Sequence, residues 1–294
     1  MDGNISINLK PFMKSTGVDQ IPVLRIDADA FEQFTDTIVV EEPLEISLEY
    51  GPSANRRLHS LAVTMRTPGN DQALALGFLL SEGIISKPED VVEVRRLPHK
   101  KGHQVENTIL VALSPGLRFD MDRLNRHFYT SSSCGVCGKT SIEMVQSTIY
   151  HFPRPGFPKV HKAVFYELPE KLRRAQAVFD STGSIHASGL FDANGNLLLL
   201  QEDVGRHNAL DKLLGQAFEE NQLPFKNQIL LLSGRISFEL VQKALMAGVP
   251  VIAAVGAPSS LAVEMAEAYG TTLIGFLRNN KFNVYCGKDR IIVD

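Results

Sequence analysis

The chain is poor in cysteine, with three among 294 residues: Cys134, Cys137 and Cys286. An odd number, two of them in a C-x-x-C, makes no framework for a disulfide-stapled secreted domain. It turns attention instead to catalysis, redox work or metal binding at that pair. Long hydrophobic runs are missing too. No stretch approaches the roughly eighteen apolar residues that a membrane-spanning helix needs. Met1 to Lys14 is polar and mixed, without the apolar core of a signal peptide. A protein with neither feature is expected in the cytoplasm and off the membrane. There is no excess of positive charge either. A net charge of −3 lacks the basic balance of a nucleic-acid binder, so any anionic ligand must be met by a local cluster of Arg, Lys or His. Internal repeats and low-complexity segments are absent.

What is present is the composition of a globular protein, 44% apolar and 21% charged, long enough for one or two domains. Residues 1–30 lack a clear period at their start and read as a flexible N-terminal arm. Residues 31–130 read as a β-rich part. Strand patterns run over Thr37–Val40, Leu44–Leu48, Leu61–Met65, Val91–Arg95 and Thr108–Ala112, with one helix opened by Asn70 and Asp71 and stopped at Gly83. Residues 131–150 form a Cys-motif loop and a helix, since Thr140-Ser141-Ile142-Glu143 has capping-box spacing. Residues 151–294 read as an α/β ligand-binding domain, after a connecting stretch to 175 with a short helix near Glu170 to Gln176. Strands over Leu197–Leu200, Ile229–Leu232, Val251–Val255 and Thr272–Phe276 alternate with helices over His207–Glu220, Ser237–Met246 and Ser259–Tyr269. Such alternation calls for an α/β fold, a layered mixed or parallel sheet with helices on both faces.

The C-x-x-C of Ser133-Cys134-Gly135-Val136-Cys137-Gly138 stands before a helix start, where the dipole and free N–H groups stabilise a thiolate. Gly135 and Gly138 leave the loop open, and Lys139 adds a positive charge. A thioredoxin-like motif wants a βαβ start early in a short domain, and a structural zinc site wants a second ligand pair; neither is present. A sulfur carrier needs one nucleophilic cysteine on a Ser/Gly-rich loop, which fits best. The bland alternative is two structural cysteines in a turn. Nothing in the spacing chooses between Cys134 and Cys137.

Three segments of the second half supply context. Ser181–Gly189 surrounds His186 with small residues. Glu202–Lys212 places Arg206 and His207 at a strand-to-helix junction, where open α/β sheets bind ligands. Ser233-Gly234-Arg235 repeats the Gly-Arg pair after the next strand. A Gly-flanked Arg at a helix N-terminus is an anion seat, and these strand ends should share one sheet edge. Ala257-Pro258-Ser259-Ser260 caps a third strand end with small residues, and Phe276 to Lys281 adds Arg278, Lys281 and an aromatic at a fourth. Taken singly, His186 could be a core histidine, Glu202 and Asp203 a solvated face or a cap, and Arg235 a surface ion pair. Repetition along one edge favours a phosphate-rich ligand.

Ser133-Cys134-Gly135-Val136-Cys137-Gly138, Glu202-Asp203-Val204-Gly205-Arg206-His207-Asn208-Ala209-Leu210-Asp211-Lys212, Ser233-Gly234-Arg235, Ala257-Pro258-Ser259-Ser260 and Gly275-Phe276-Leu277-Arg278 together resemble the formate dehydrogenase accessory sulfurtransferase family, FdhD, over roughly residues 35–290. The resemblance implies a cytidine-deaminase-like α/β fold with an added N-terminal part, and a homodimer. It implies sulfur taken as a persulfide from a cysteine desulfurase and delivered to the molybdenum of bis(molybdopterin guanine dinucleotide) for formate dehydrogenase. That cofactor would be bound as substrate, with no permanent cofactor and no resident metal. By resemblance the persulfide belongs on Cys134 with Cys137 assisting. The guanine-dinucleotide contact falls on Phe276, Leu277, Arg278, Asn279, Asn280 and Lys281, where other members are often Gly-rich. Cys286 has no counterpart role and reads as a structural residue. Zinc deaminases need His-x-Glu and a later Pro-Cys-x-x-Cys; His186-Ala187-Ser188 lacks the Glu and follows the Cys pair. Two rivals remain, a cofactor-binding chaperone without sulfur transfer and a dithiol oxidoreductase.

Overall fold

The structure is a computed structural model that describes residues 17–97, 107–119 and 151–294. Its centre is a six-stranded sheet formed by β8 (His186–Phe191), β9 (Leu197–Asp203), β10 (Ile229–Leu232), β11 (Val251–Ala254), β12 (Thr272–Arg278) and β13 (Lys281–Cys286), in the order β13-β12-β11-β10-β8-β9. β10, β11 and β12 run parallel, while β8 is antiparallel to both β10 and β9, and β13 is antiparallel to β12. The sheet is therefore mixed, and its two central strands are apolar at every position because both faces are covered.

Alternation sends those side chains into two cores. Ile229, Leu231, Val251 and Ala253 pack with Phe165, Leu168 and Leu172 of α2 (Lys162–Ala175) on one face. Leu230, Leu232, Ile252 and Ala254 face the other way, toward α4 (Arg206–Glu219), α5 (Phe238–Met246) and α6 (Ser260–Ala268). Between α2 and β8 lies the short α3 (Ala177–Thr182).

A second sheet of β3 (Glu42–Tyr50), β4 (Arg57–Arg66), β5 (Val91–Arg96) and β6 (Thr108–Leu113) has the order β4-β3-β6-β5, with β3 and β6 parallel. Its inward residues Leu44, Ile46, Leu48, Ile109 and Val111 join the same core as α4 and α5. The bridge between the sheets is α1 (Asp71–Ser81), an almost wholly buried helix that crosses α4 at a pair of glycines. A Cβ on Gly77 would overlap the Asp211 carbonyl, and one on Gly215 would overlap that of Ala73. The predicted 31–130 and 151–294 parts thus share one continuous interior. Beneath the start of α1, buried Arg66 holds Asp71 through both carboxylate oxygens and also reaches Glu42.

Four stretches differ from the sequence expectation. Val18–Ile26, assigned to the arm, is a strand, β1, paired antiparallel with β2 (Phe31–Val39) as a ribbon. Its apolar residues are largely exposed, so no buried face imposes a strict alternation to read. The stretch to 175, expected to connect with only a short helix at its end, holds the fourteen-residue α2, which accommodates Pro169 in its interior. Proline removes one N–H from a helix, yet Phe165, Leu168 and Leu172 at i, i+3 and i+7 bury a full apolar stripe and outweigh that loss. His186–Phe191, weak in β-formers, is an interior strand because its small residues let α2 lie close; a Cβ on Gly189 would be 2.5 Å from Leu172 Cδ1. Finally, the last predicted strand runs on to Arg278 and returns as β13, while the two-residue β14 (Ile291–Ile292) pairs with β7 (Val160–His161). Among the described residues no helix is long and apolar enough to cross a membrane.

Candidate functional site

Because β8 opposes its neighbours, its first residue lies level with the last residues of the others. His186 pairs with Asp203 at the end of β9, and Ser188 with Leu232 at the end of β10. One edge of the sheet therefore gathers His186, the Gly205-Arg206-His207 turn, the Ser233-Gly234-Arg235 loop, the Gly256-Ala257-Pro258 loop and the β12–β13 hairpin. The shared edge expected for the Gly-Arg pairs is present, with β8 inserted antiparallel between their strands.

The loops are laced together by main-chain bonds. Ser233 N donates to Ala187 O at 3.0 Å and its hydroxyl accepts from Ala187 N at 2.9 Å. Gly256 N donates to Gly234 O at 3.1 Å, and Phe276 N donates to Gly256 O at 3.0 Å. The fit requires glycine, since a Cβ on Gly256 would approach Gly234 O to 2.7 Å. The result is a low, rigid floor of small residues with charged side chains standing around it.

The Glu202–Lys212 string divides into scaffold and surface. Asp203, wholly buried, accepts hydrogen bonds from Thr67 N, Gly205 N and Asn208 Nδ2 and pairs with Lys212 Nζ at 2.7 Å. Asn208 also reaches back to β4, donating to Met65 O and accepting from Thr64 Oγ1. Asp211 is buried against Ser81 Oγ and Lys243 Nζ. Glu202 accepts from Val178 N and Phe179 N, capping α3. These side chains hold the fold together, while Arg206 and His207, at the start of α4, are only half-buried.

Arg206 opens α4 behind Gly205, which offers no side-chain cap, and the buried Nε of Arg206 has no hydrogen-bond partner among the described residues. His207 Nε2 lies 3.2 Å from Ser237 Oγ and 3.6 Å from Glu239 Oε2, and Glu239 in turn is 3.8 Å from Lys243 Nζ. Burial, with the nearby Arg206 guanidinium, holds the His186 imidazole below its ordinary pKa, against the pull of Asp203. Burial likewise lowers that of His207; Glu239 opposes the shift while Lys243, Arg206 and His186 add to it. Asp211 is pushed up to about 6 by burial, an effect that Lys243 opposes. Thr67 and Glu239 carry no sequence signal of their own and join the site only through tertiary packing, whereas Ser237 stands at the expected start of α5.

The hairpin stands at the other end of the edge, three strand spacings from β8, or about 14 Å at ~4.8 Å per strand. Phe276 is exposed and has φ of +53°, a conformation costly for a bulky residue. The Arg278 guanidinium lies 5.9 Å from the Phe276 ring centroid. Arg235, Arg278 and Lys281 are exposed. Three of the expected contact residues have structural roles of their own. Leu277 is 1% exposed and packed in the core, so its side chain presents nothing to a ligand. Asn279 and Asn280 both have φ of +53°, as the two central residues of a type I′ hairpin turn require; their first task is to turn the chain. Cys134, Cys137 and the helix expected after them lie outside the described residues. Cys286 is half-buried, donates to Thr271 O at 3.2 Å and has its thiol pushed up to about 11 by burial. Among the described residues no three His, Cys, Asp or Glu side chains converge as metal ligands.

This architecture and sequence have known counterparts. The profile of the FdhD/NarQ family matches residues 39–292. Proteins named sulfur carrier protein FdhD are similar along nearly their whole length. That of Streptomyces coelicolor is 47% identical over 92% of this chain and 94% of its own. The Mycobacterium tuberculosis protein is 48% identical over 92% and 96%, and the Saccharolobus solfataricus protein 39% identical over 93% and 98%. A crystal structure from Desulfotalea psychrophila, provisionally assigned as a formate dehydrogenase accessory protein, shares the fold with a TM-score of 0.70 at 24% identity, over 94% of this chain and 99% of that one.

Proposed function

This chain belongs to the FdhD/NarQ family, and on that footing we propose that it is a sulfur carrier for formate dehydrogenase maturation. It takes sulfur from a cysteine desulfurase and passes it to the molybdenum of bis(molybdopterin guanine dinucleotide), which it binds as substrate. The first step is thiol exchange. The Cys134 thiolate attacks the outer sulfur of the donor's persulfide; the donor S–S bond breaks, the donor thiolate leaves, and Cys134 becomes the persulfide with no net oxidant needed. Cys137 assists as the second thiol of the motif. The outer sulfur then passes to the metal of the bound cofactor as the Cys134 S–S bond breaks and the Cys134 thiolate leaves, the two electrons that take the sulfane sulfur to sulfide coming from a reduced metal centre of the cofactor substrate. The work belongs to the reducing cytoplasm, where a free C-x-x-C stays reduced, and to a homodimer.

The observation that carries this reading is the single edge that brings Arg206, Arg235 and Arg278 around a glycine floor. Its breadth suits an extended ligand with phosphates and a base at each end, and the exposed Phe276 ring supplies a face for a guanine to stack on. Since the edge is built from residues 186–281, a cofactor chaperone with idle cysteines would use it equally. Intact-protein mass spectrometry after incubation with a desulfurase and cysteine separates the two. A gain of one sulfur mass, removed by reductant and absent in Cys134→Ala, supports the carrier. No adduct on the wild type, or a Cys134→Ala variant that still matures active formate dehydrogenase, leaves the chaperone.

A further inference from the structure

Two buried side-chain polar atoms have no hydrogen-bond partner among the described residues, the Ser188 hydroxyl and Arg206 Nε. Both belong to one corner of the edge. His186 is paired across β8 and β9 with Asp203, whose carboxylate accepts from Gly205 N immediately before Arg206. Ser188, 1% exposed, lies two residues along β8 and so on the same face as His186, one pleat deeper. Buried donors are left unpaired only rarely, and the Arg206 Nε stands at the uncapped first turn of a fourteen-residue helix, with Ser188 further along the same face of β8. Gly234 leaves the mouth open: a Cβ there would sit 3.4 Å from the His186 ring.

The charges facing the two imidazoles come from every side of the corner. His186 faces Arg206 of α4 and Asp203 of β9. His207 faces Ser237, Glu239 and Lys243 at the start of α5, together with Arg206 and His186. Both carboxylates are already engaged. Asp203 is committed to Lys212 and three N–H donors, and Glu239 is shared between His207 and Lys243. The corner thus offers a guanidinium, the amides of a helix start and two imidazoles to an incoming anion.

We propose that this corner is a seat for one tetrahedral dianion, a phosphoryl group of the ligand, and that filling it draws a proton from solvent onto the His186–His207 pair. The inference rests on the reading that this edge holds a phosphate-bearing ligand. It assigns the α4 corner and the Phe276 hairpin separate tasks, the first gripping phosphate and the second the base. The lowered imidazole pKa values fix the direction. Both rings are neutral near pH 7 when the seat is empty, an incoming anion favours the protonated rings, and affinity therefore rises as pH falls.

Sulfate is the probe, because it is a tetrahedral dianion that does not titrate near neutrality. The ring resonances of the full-length protein are followed by NMR against pH in sodium sulfate and in sodium chloride at equal ionic strength. Sulfate is expected to raise the apparent pKa of His186 and His207 by about one unit, a tenfold coupling per proton. Arg206→Met is expected to abolish the difference. Arg206→Lys, which keeps the charge but withdraws the Nε donor, is expected to lose most of it. Identical titrations in the two salts, or a shift that survives Arg206→Met, overturns the seat. Sulfur loading of Cys134 is read separately. A loaded wild type with unresponsive histidines sinks this inference alone, while responsive histidines without a Cys134 adduct sink the carrier reading alone.

Discussion

Thr67 and Asp203, 136 positions apart, are joined by a hydrogen bond from the Thr67 amide to Asp203 Oδ2 at 3.1 Å. The link is reinforced by Val204 N to Thr67 Oγ1 at 3.0 Å and by Lys212 Nζ to Thr67 O at 2.7 Å. Through it the end of β4 is fastened to the turn that carries Arg206 and His207. The edge of one sheet that carries Arg206 and His207 is thus braced by the other sheet.

Removing the carboxylate at the centre of this brace should be severe. Asp203→Ala leaves Lys212, 2% exposed, as a buried charge with no counter-ion, a change that typically costs about 3–5 kcal/mol. Urea unfolding followed by circular dichroism should show a stability lowered by that amount. A loss below about 1 kcal/mol would mean the pair is not the brace described.

The helix crossing leaves no space for a side chain. Gly215→Ala drives a Cβ into the Ala73 carbonyl, and both helices must move apart to admit it. Overpacking of this kind costs about 1–3 kcal/mol and more where backbone cannot yield. Thermal denaturation should place this variant well below Gly270→Ala in the loop after α6. A Cβ at that position would have nothing within 4 Å, so the cost there comes only from its φ of +67°.

Phe276 stores backbone strain at the β12–β13 hairpin. Residues held at positive φ cost of the order of 1–3 kcal/mol, so Phe276→Gly should raise the unfolding free energy by about 1 kcal/mol while weakening guanine nucleotide binding. Calorimetric melting and titration with guanosine diphosphate on the same sample test both halves. A variant that is less stable, or that binds as well, contradicts the assignment of strain to function.

Cys286 should be a bystander. With its thiol pushed up to about 11, almost no thiolate exists at pH 7, and the thiolate is the nucleophile. Brief iodoacetamide treatment at pH 7 should leave Cys286 unmodified in the native protein and alkylate it after denaturation, as peptide mass spectrometry would record. Cys286→Ala should take up sulfur as the wild type does. Rapid native alkylation at Cys286 would show that burial does not control this thiol.

Much of the second half could be read directly. The runs Ile229–Leu232 and Val251–Ala254 announced strands covered on both faces, and the helices that follow began within a residue or two of their expected starts. Gly-Arg after successive strands placed Arg206 and Arg235 on one edge. By contrast, β8 was hidden by its small residues, α2 by Pro169 and β1 by the absence of a buried face. In each case packing against a distant partner overrides the local signal. Leu277 shows the same limit at the level of one side chain, since a contact segment matched residue by residue says nothing of which residues a strand turns inward.

The sequence by itself determined the alternating α/β class, the anion-seeking chemistry of the edge and the cysteine pair that a carrier needs. These follow from local pattern, because periodicity, helix starts and residue chemistry are carried by neighbours along the chain. Only the tertiary structure decided which polar groups serve the ligand and which serve the fold. In the Glu202–Lys212 string, Asp203, Asn208, Asp211 and Lys212 are consumed by partners at Thr67, Met65, Ser81 and Lys243, all remote in sequence. Arg206 is left with a buried Nε that no described side chain satisfies, while His207 turns to Ser237 and Glu239 at the start of α5. A buried polar group must find its partner in space, and no local pattern records where that partner is.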